Sequence, residues 1–327
     1  MTVASIPRLR RRTLSATELA RCRRSLASEI RDANLTSPKQ VEAILKRLRA
    51  IVLDGHGYPM PDCFSDLTGL RARVVASELY IQGRDLSGTR GWHFRDPRHR
   101  EGYDRLKLHA QIIESLLTKP RPKNDADVTI DAGGGLPPDG AEAKSVAYLV
   151  TGLPACGKST IVRDLFVRTR SLVVDPDDAK RMLPEYRDGK NAIALHEESS
   201  VIAKGLNGLM DCAMWRGFNI ISPTIGATPA RLLDVQQLLR KNGYTVALIY
   251  VHCPPEIAAV RSLHRLMDDG RYVPLSLIFG APYANPESAY RTLKQNDGWA
   301  GWARFDVSAA GSAPHLDEIE GLAVLRR

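Results

Sequence analysis

Apolar positions in the first 118 residues recur at intervals of three and four. Leu19, Cys22, Leu26 and Ile30 follow Ser15-Ala-Thr-Glu18, whose serine and glutamate have the spacing of a capping box. Ser37-Pro38 opens a second pattern, with Val41, Ile44, Leu45, Leu48 and Ile51 on one helical face. Two further helices are predicted near 67–82 and 99–118. From residue 145 the pattern changes. Residues 145–151, 171–174, 218–221 and 244–251 are short apolar runs and read as buried strands. Between them lie helical stretches at 158–169, at 192–216 (stopping at Gly217) and at 229–239, the last closed by Asn242-Gly243. Pro255 opens another helix. Strands alternating with helices predict an α/β fold: a mainly parallel sheet covered by helices, preceded by a smaller helical N-terminal region.

Residues 119–145 contain four prolines, four glycines and few large apolar side chains. That composition reads as a linker or long surface loop, and it divides the chain into 1–118, 119–145 and 146–327. Charge changes at the same place. Residues 1–123 hold 24 Lys and Arg against 13 Asp and Glu, a net +11, whereas the remainder is slightly acidic. A basic first region suits either an anionic partner or a solvated, arginine-rich helical surface. A nucleic-acid partner stays a secondary alternative, because no RNA- or DNA-binding signature accompanies the charge. Arg8, Arg10, Arg11 and Arg12 read as a basic tail. Gly91–Pro97 mixes Trp92 and Phe94 with basic residues, which suits either base stacking or ordinary packing. Five scattered cysteines without a C-x-x-C argue against a zinc site or a disulfide framework and for reduced thiols in a cytoplasm. No run approaches the length of a membrane-spanning helix.

The strongest chemical signal is Gly152-Leu153-Pro154-Ala155-Cys156-Gly157-Lys158-Ser159, followed by Thr160. It fits G-x-x-x-x-G-K-[ST] between a predicted strand and a predicted helix. The glycines let successive backbone N–H groups converge on one concavity, and the helix N-terminus adds its positive dipole end. Lys158 suits the β- and γ-phosphates of ATP, and the Ser159 hydroxyl suits Mg2+. The strands ending at Ile221 and Val251 carry no aspartate, but the one ending at Val174 runs into Asp175-Pro-Asp177-Asp178. A carboxylate at that edge can coordinate a metal or accept a proton from an attacking hydroxyl, and the same residues can also cap the helix that follows. Arg261 and Arg265 share a helix face, and Arg271 follows a Gly-containing turn. Arginine forks on a lid stabilise a transferring phosphoryl group and exclude water; one of the three can instead pair with Asp268 or Asp269.

Together, GLPACGKST, VVDPDDAKRMLPEY, HEESSVIA, NIISPTIG and RSLHRLMDDGRYVP make residues 146–300 resemble the zeta-toxin family of P-loop kinases. The resemblance implies ATP- and Mg2+-dependent phosphorylation of a hydroxyl on a nucleotide-containing metabolite. UDP-N-acetylglucosamine is the best-known acceptor, and the adenosine ribose of NAD is the acceptor in an effector branch. It places the loop lysine on Lys158, the general base on Asp177, and the lid arginines on Arg271 and either Arg261 or Arg265. Asp175, Thr224 and Arg261 are the expected acceptor contacts. Ser222-Pro223-Thr224 lacks the carboxylate often found after the third strand in the family, and Glu198, of the pair Glu197-Glu198, could supply that acid. A toxin or effector role, an antitoxin or chaperone partner, and secretion into a host cell in the effector case belong to the same expectation. The rival reading is a nucleotide-dependent switch without transfer to a metabolite.

Overall fold

The computed structural model describes residues 14–83, 88–124, 127–186, 192, 194–226, 228–280 and 286–322. The four arginines of the basic tail and the side chain of Trp92 lie outside the described residues.

Six strands form one sheet: β1 (Val146–Thr151), β2 (Leu172–Val173), β3 (Ile220–Thr224), β4 (Thr245–His252), β5 (Gly301–Asp306) and β6 (His315–Glu320), in the spatial order β2-β3-β1-β4-β5-β6. All neighbours are parallel except β5 and β6. The three strands around the phosphate loop are mostly apolar and buried because both faces of the sheet are covered. Tyr148, Val150, Ala247, Ile249 and Val251 join one core, and Ala147, Leu149, Val246, Leu248 and Tyr250 join the other. Successive side chains of a strand point to opposite faces, so a single strand feeds both cores.

The N-terminal helices are α1 (Ala16–Asp32), α2 (Pro38–Ala50), α3 (Leu67–Gln82) and α4 (Gly102–Thr118). The capping box at Ser15 forms as its spacing predicts, with the Ser15 hydroxyl accepting from the Glu18 N–H and the Glu18 carboxylate accepting from the Ser15 N–H. Val41, Ile44, Leu45 and Leu48 of α2 are buried on one face. Each fully buried Leu or Ile is worth roughly 1.5–3 kcal/mol. These helices do not close a core of their own. Leu26, Ile30, Leu45 and Leu70 share the first core with α5 (Lys158–Thr169), α10 (Pro255–Asp269) and α11 (Leu275–Phe279). Leu108, Ile112 and Leu116 of α4 share the second core with α6 (Pro176–Met182), α7 (His196–Lys204), α8 (Leu209–Trp215), α9 (Pro229–Lys241) and α12 (Pro286–Leu293).

The Pro/Gly-rich stretch is packed rather than loose. Pro120 bridges to Leu136, and the Val173 N–H donates to the Gly135 carbonyl, so this segment lies along the outer edge of β2. Gly134 and Gly135 are there because a Cβ at either would meet backbone oxygens, as close as 2.3 Å at Gly134. The single long helix expected over 192–216 is two helices. Gly205 and Gly208 approach the carbonyls of Val201 and Ile202 too closely for a side chain, and Asn207 between them takes a left-handed φ of 58°. The break turns α8 back toward the start of β3.

Candidate active site

The phosphate loop is built as its sequence demands. Gly157 has φ 108° and Ala155 φ 58°, and the loop leaves the buried end of β1 to enter α5. Lys158 folds its ammonium back over the loop, donating to the carbonyls of Gly152 at 2.8 Å and Leu153 at 2.7 Å. These neutral oxygens are its partners among the described residues, so the charge itself is unanswered. Ser159 and Thr160 stand exposed in the first turn of α5. Cys156 is fully buried, and its carbonyl is used by Arg261.

Next to β1 lies β3, in register Thr151 to Thr224, and beyond it β2, so the acidic element emerges one strand away from the loop. Asp175 caps α6 by accepting from the Asp177 N–H at 2.9 Å. Burial and the neighbouring carboxylates push the Asp175 pKa up to about 7. Asp177 stands in the first turn of α6 with 57% of its side chain open to the crevice. Its Oδ1 accepts from Lys180 at 2.6 Å, while Oδ2 has no hydrogen bond among the described residues. Burial opposes the charge on Asp177, but Lys180, Arg181 and His196 outweigh it and keep this carboxyl well below the usual carboxylate range. Asp178 is the structural member of the trio: it is buried and held by Arg121 at 2.5 Å and Arg181 at 2.9 Å.

The three candidate arginines separate. Arg271 donates twice to Asp269, at 2.8 and 2.5 Å, and stands beside the turn after α10, within the field of Asp177. Arg265 has no hydrogen bond or ion pair among the described residues. Burial and the nearby Arg271 pull its pKa down, while the charges of Asp269 and Asp177 partly compensate. A half-buried guanidinium without a partner among the described residues, beside a second one, has the chemistry to bind an anion. Arg261 is already engaged within the chain. Its guanidinium donates to the carbonyls of Cys156 and Val307 and to the Tyr58 hydroxyl, so the expected substrate contact is corrected to a support of the loop.

Glu198 is likewise corrected. It is 3% exposed, bound twice by Arg105 (2.5 and 2.7 Å) and once by His109 Nε2 at 2.6 Å. Burial alone would raise its pKa, but these partners draw it down to about 2. Arg105 of α4 also binds Glu185 at 2.8 Å, so it holds both α7, through Glu198, and the segment after α6. Thr224 stands half-buried at the end of β3, beside the loop.

Two cations at the crevice carried no recognised sequence signal. Lys204 reaches from α7 to the Pro223 carbonyl at 2.9 Å. Burial and Lys158 draw its pKa down to about 8 against the opposing pull of Asp175 and Asp177. Lys180 could have been found, since it lies three residues after Asp177 on the same helical face; Lys204 could not.

Residues 138–299 match the model of the zeta toxin family. That segment, just under half of the chain, carries a zeta toxin domain. No curated protein matches the sequence. Among solved structures, a chain of the PezAT chromosomal toxin-antitoxin system of Streptococcus pneumoniae is similar at TM-score 0.46 and 16% identity, over 63% of this chain and 79% of its own. A chain of AvrRxo1-ORF1:-ORF2 with ATP is similar at TM-score 0.47 and 18% identity, over 70% of each. At that distance neither carries a function across. The zeta-toxin segment contains the phosphate loop, the acidic element and the arginines, whereas α1–α4 lie outside it.

Proposed function

We propose that the chain is an ATP-dependent kinase that phosphorylates a hydroxyl of a nucleotide-containing metabolite, as a toxin or effector. The observation that carries this reading is Asp177. A carboxylate with one free oxygen shares a crevice with an unpartnered Arg265 and a phosphate loop. A nucleotide switch needs neither a proton acceptor nor free guanidinium groups.

In this reading the triphosphate draws the Lys158 ammonium from the two loop carbonyls onto its β- and γ-oxygens. Among the described residues no cluster of His, Cys, Asp or Glu could hold a metal alone. A magnesium ion carried by ATP needs little from the protein beyond one hydroxyl, and Ser159 presents one at the start of α5. Bound there, magnesium would neutralise charge on the phosphates. The acceptor hydroxyl donates to Asp177 Oδ2, and the carboxylate takes its proton late in the transfer, as expected for a weak base. Arg265 binds the equatorial oxygens of the moving group, and Arg271 joins it by leaving Asp269. Asp175, Thr224 and Lys204 line the acceptor side. An antitoxin or chaperone that covers the crevice belongs to the same reading. It is supported by the zeta toxin domain.

The test is incubation with γ-labelled ATP and a panel of UDP-N-acetylglucosamine, other UDP-sugars, NAD, coenzyme A and RNA. Label in one nucleotide-type acceptor is expected. Label only in free phosphate would favour the switch.

A further inference from the structure

Two buried contacts tie the N-terminal helices to the parts of the crevice whose shape matters most. The first runs through Arg261. From α10 its guanidinium donates to the Cys156 carbonyl at 2.7 Å and to the Val307 carbonyl at 2.6 Å. Its Nε donates to the Tyr58 hydroxyl at 3.1 Å, and the group lies over the Tyr58 ring, 5.6 Å from the centroid. Cys156 and Gly157 share one peptide unit. In a trans peptide the C=O and N–H point in opposite directions. A guanidinium that fixes the Cys156 oxygen on the outside of the loop therefore turns the Gly157 N–H toward the inside, where a phosphate would sit. Tyr58 belongs to the segment between α2 and α3, and its own N–H is fixed by the Val52 carbonyl at 3.2 Å.

The second contact holds the arginine segment. Tyr272 directly follows Arg271, is 7% exposed, and donates its hydroxyl to Glu78 Oε1 of α3 at 2.6 Å. Arg73, also of α3, donates to the Leu266 carbonyl at 3.3 Å. At the far end of α10, the fully buried Glu256 accepts from Arg23 of α1 at 2.7 Å and from His56 at 2.6 Å. The same N-terminal layer thus grips α10 at both ends, with Arg265 and Arg271 at one end and the supporter of the phosphate loop in the middle.

We propose that residues 14–83 are an intramolecular brace of the catalytic edge: Tyr58, through Arg261, sets the phosphate loop, and Glu78, through Tyr272, sets the arginine segment. The inference rests on reading the crevice as a nucleotide site. All four are positioning residues, because none faces the transferring group. The gain is preorganisation: donors already aimed at the phosphates need no reorientation when the nucleotide arrives. A hydrogen bond to a charged group is worth about 1.5–3 kcal/mol, so each hydroxyl is expected to change its readout about tenfold or more.

Tyr58→Phe and Tyr272→Phe each keep the ring and remove one hydroxyl. Hydrogen exchange on the full-length, nucleotide-free chain reads the brace directly. Tyr58→Phe is expected to speed exchange of the amides in 153–158 about tenfold or more, and Tyr272→Phe to do the same in 270–275, with β1 and β4 unchanged in both. Glu78→Gln keeps an acceptor for the Tyr272 hydroxyl and is expected to exchange like the wild type. In steady-state kinetics Tyr58→Phe raises KM for ATP with kcat spared, and Tyr272→Phe lowers kcat with KM spared. Unchanged exchange in both segments, or a loss of protection spread evenly over the domain, overturns the brace. A wild-type chain that binds no ATP would overturn the nucleotide reading instead, and the exchange result would still decide the brace.

Discussion

The seams where the N-terminal helices dock and the crevice at the carboxyl edge of the sheet are both dense in charge, but they treat it in opposite ways. In the seams most buried acids meet a charged complement inside the chain: Glu198 and Glu185 on Arg105, Glu256 on Arg23 and His56, Asp178 on Arg121 and Arg181. In the crevice the pairing is incomplete: Asp177 meets Lys180 and Arg271 meets Asp269, but other groups have no complement among the described residues. Lys158 rests on neutral carbonyls, Arg265 on nothing among the described residues, and Asp177 keeps one oxygen free. Burial alone does not separate functional from structural ionisable groups. How completely a group's hydrogen-bonding capacity is already used separates them better. The contrast also explains part of the basic character of the first region, since several of its arginines neutralise acids of the zeta-toxin segment and lie within its seams.

The contrast can be broken at several points. The largest effect is expected at Lys158→Ala, which removes the charge the triphosphate would draw in. Nucleotide binding measured by calorimetry should be lost, and turnover should fall by about 10³ or more, while the melting temperature stays near the wild type. Arg265→Ala should lower turnover about 10²- to 10³-fold with little loss of ATP affinity. Because this guanidinium is half-buried without a partner, the variant should melt no lower than the wild type. Glu198→Ala inverts that pattern. It strands Arg105 beside Glu185 alone and should cost about 3–5 kcal/mol in a denaturant titration, with turnover largely kept at temperatures where the variant is folded. The smallest effect concerns Asp175. Its pKa of about 7 in the folded chain lies above the ~3.9 of an unfolded aspartate, so the folded state binds this proton more tightly. Its contribution to stability is full below about pH 4 and is lost as pH rises through about 7. Melting temperatures from pH 5 to 8 should therefore show Asp175→Asn gaining on the wild type as pH rises.

The parallel sheet and its phosphate loop were legible because their signals are local. The apolar runs, the glycine spacing and the capping residues each lie within a few positions of one another. Strands β5 and β6 were not read. β5 alternates buried and half-buried residues, and β6, His315-Leu-Asp-Glu-Ile-Glu320, is mostly polar and half exposed at the sheet edge. The break after Lys204 was missed because the helical period resumes beyond it. Within the site, Lys158 opens α5, Asp177 lies in the first turn of α6 and Arg271 follows α10, positions readable from their motifs. Glu198 and Arg261 were misjudged for one reason: the partners that claim them, Arg105, Tyr58 and Val307, lie tens to hundreds of residues away in sequence. Arg261 and Arg265 occupy the same helical face, and only the packing of α10 against the loop distinguishes them.

The most direct test of the central claim compares two carboxyl groups in one assay. Asp177→Asn and Glu198→Gln are each measured for ATP affinity and for single-turnover transfer to the labelled acceptor. Asp177→Asn should bind ATP nearly as the wild type does and lose transfer by about 10³-fold or more, while Glu198→Gln should transfer within a few-fold of the wild type once folded. Rapid transfer by Asp177→Asn, or its abolition in a stably folded Glu198→Gln, would contradict the assignment of the open carboxylate as the proton acceptor.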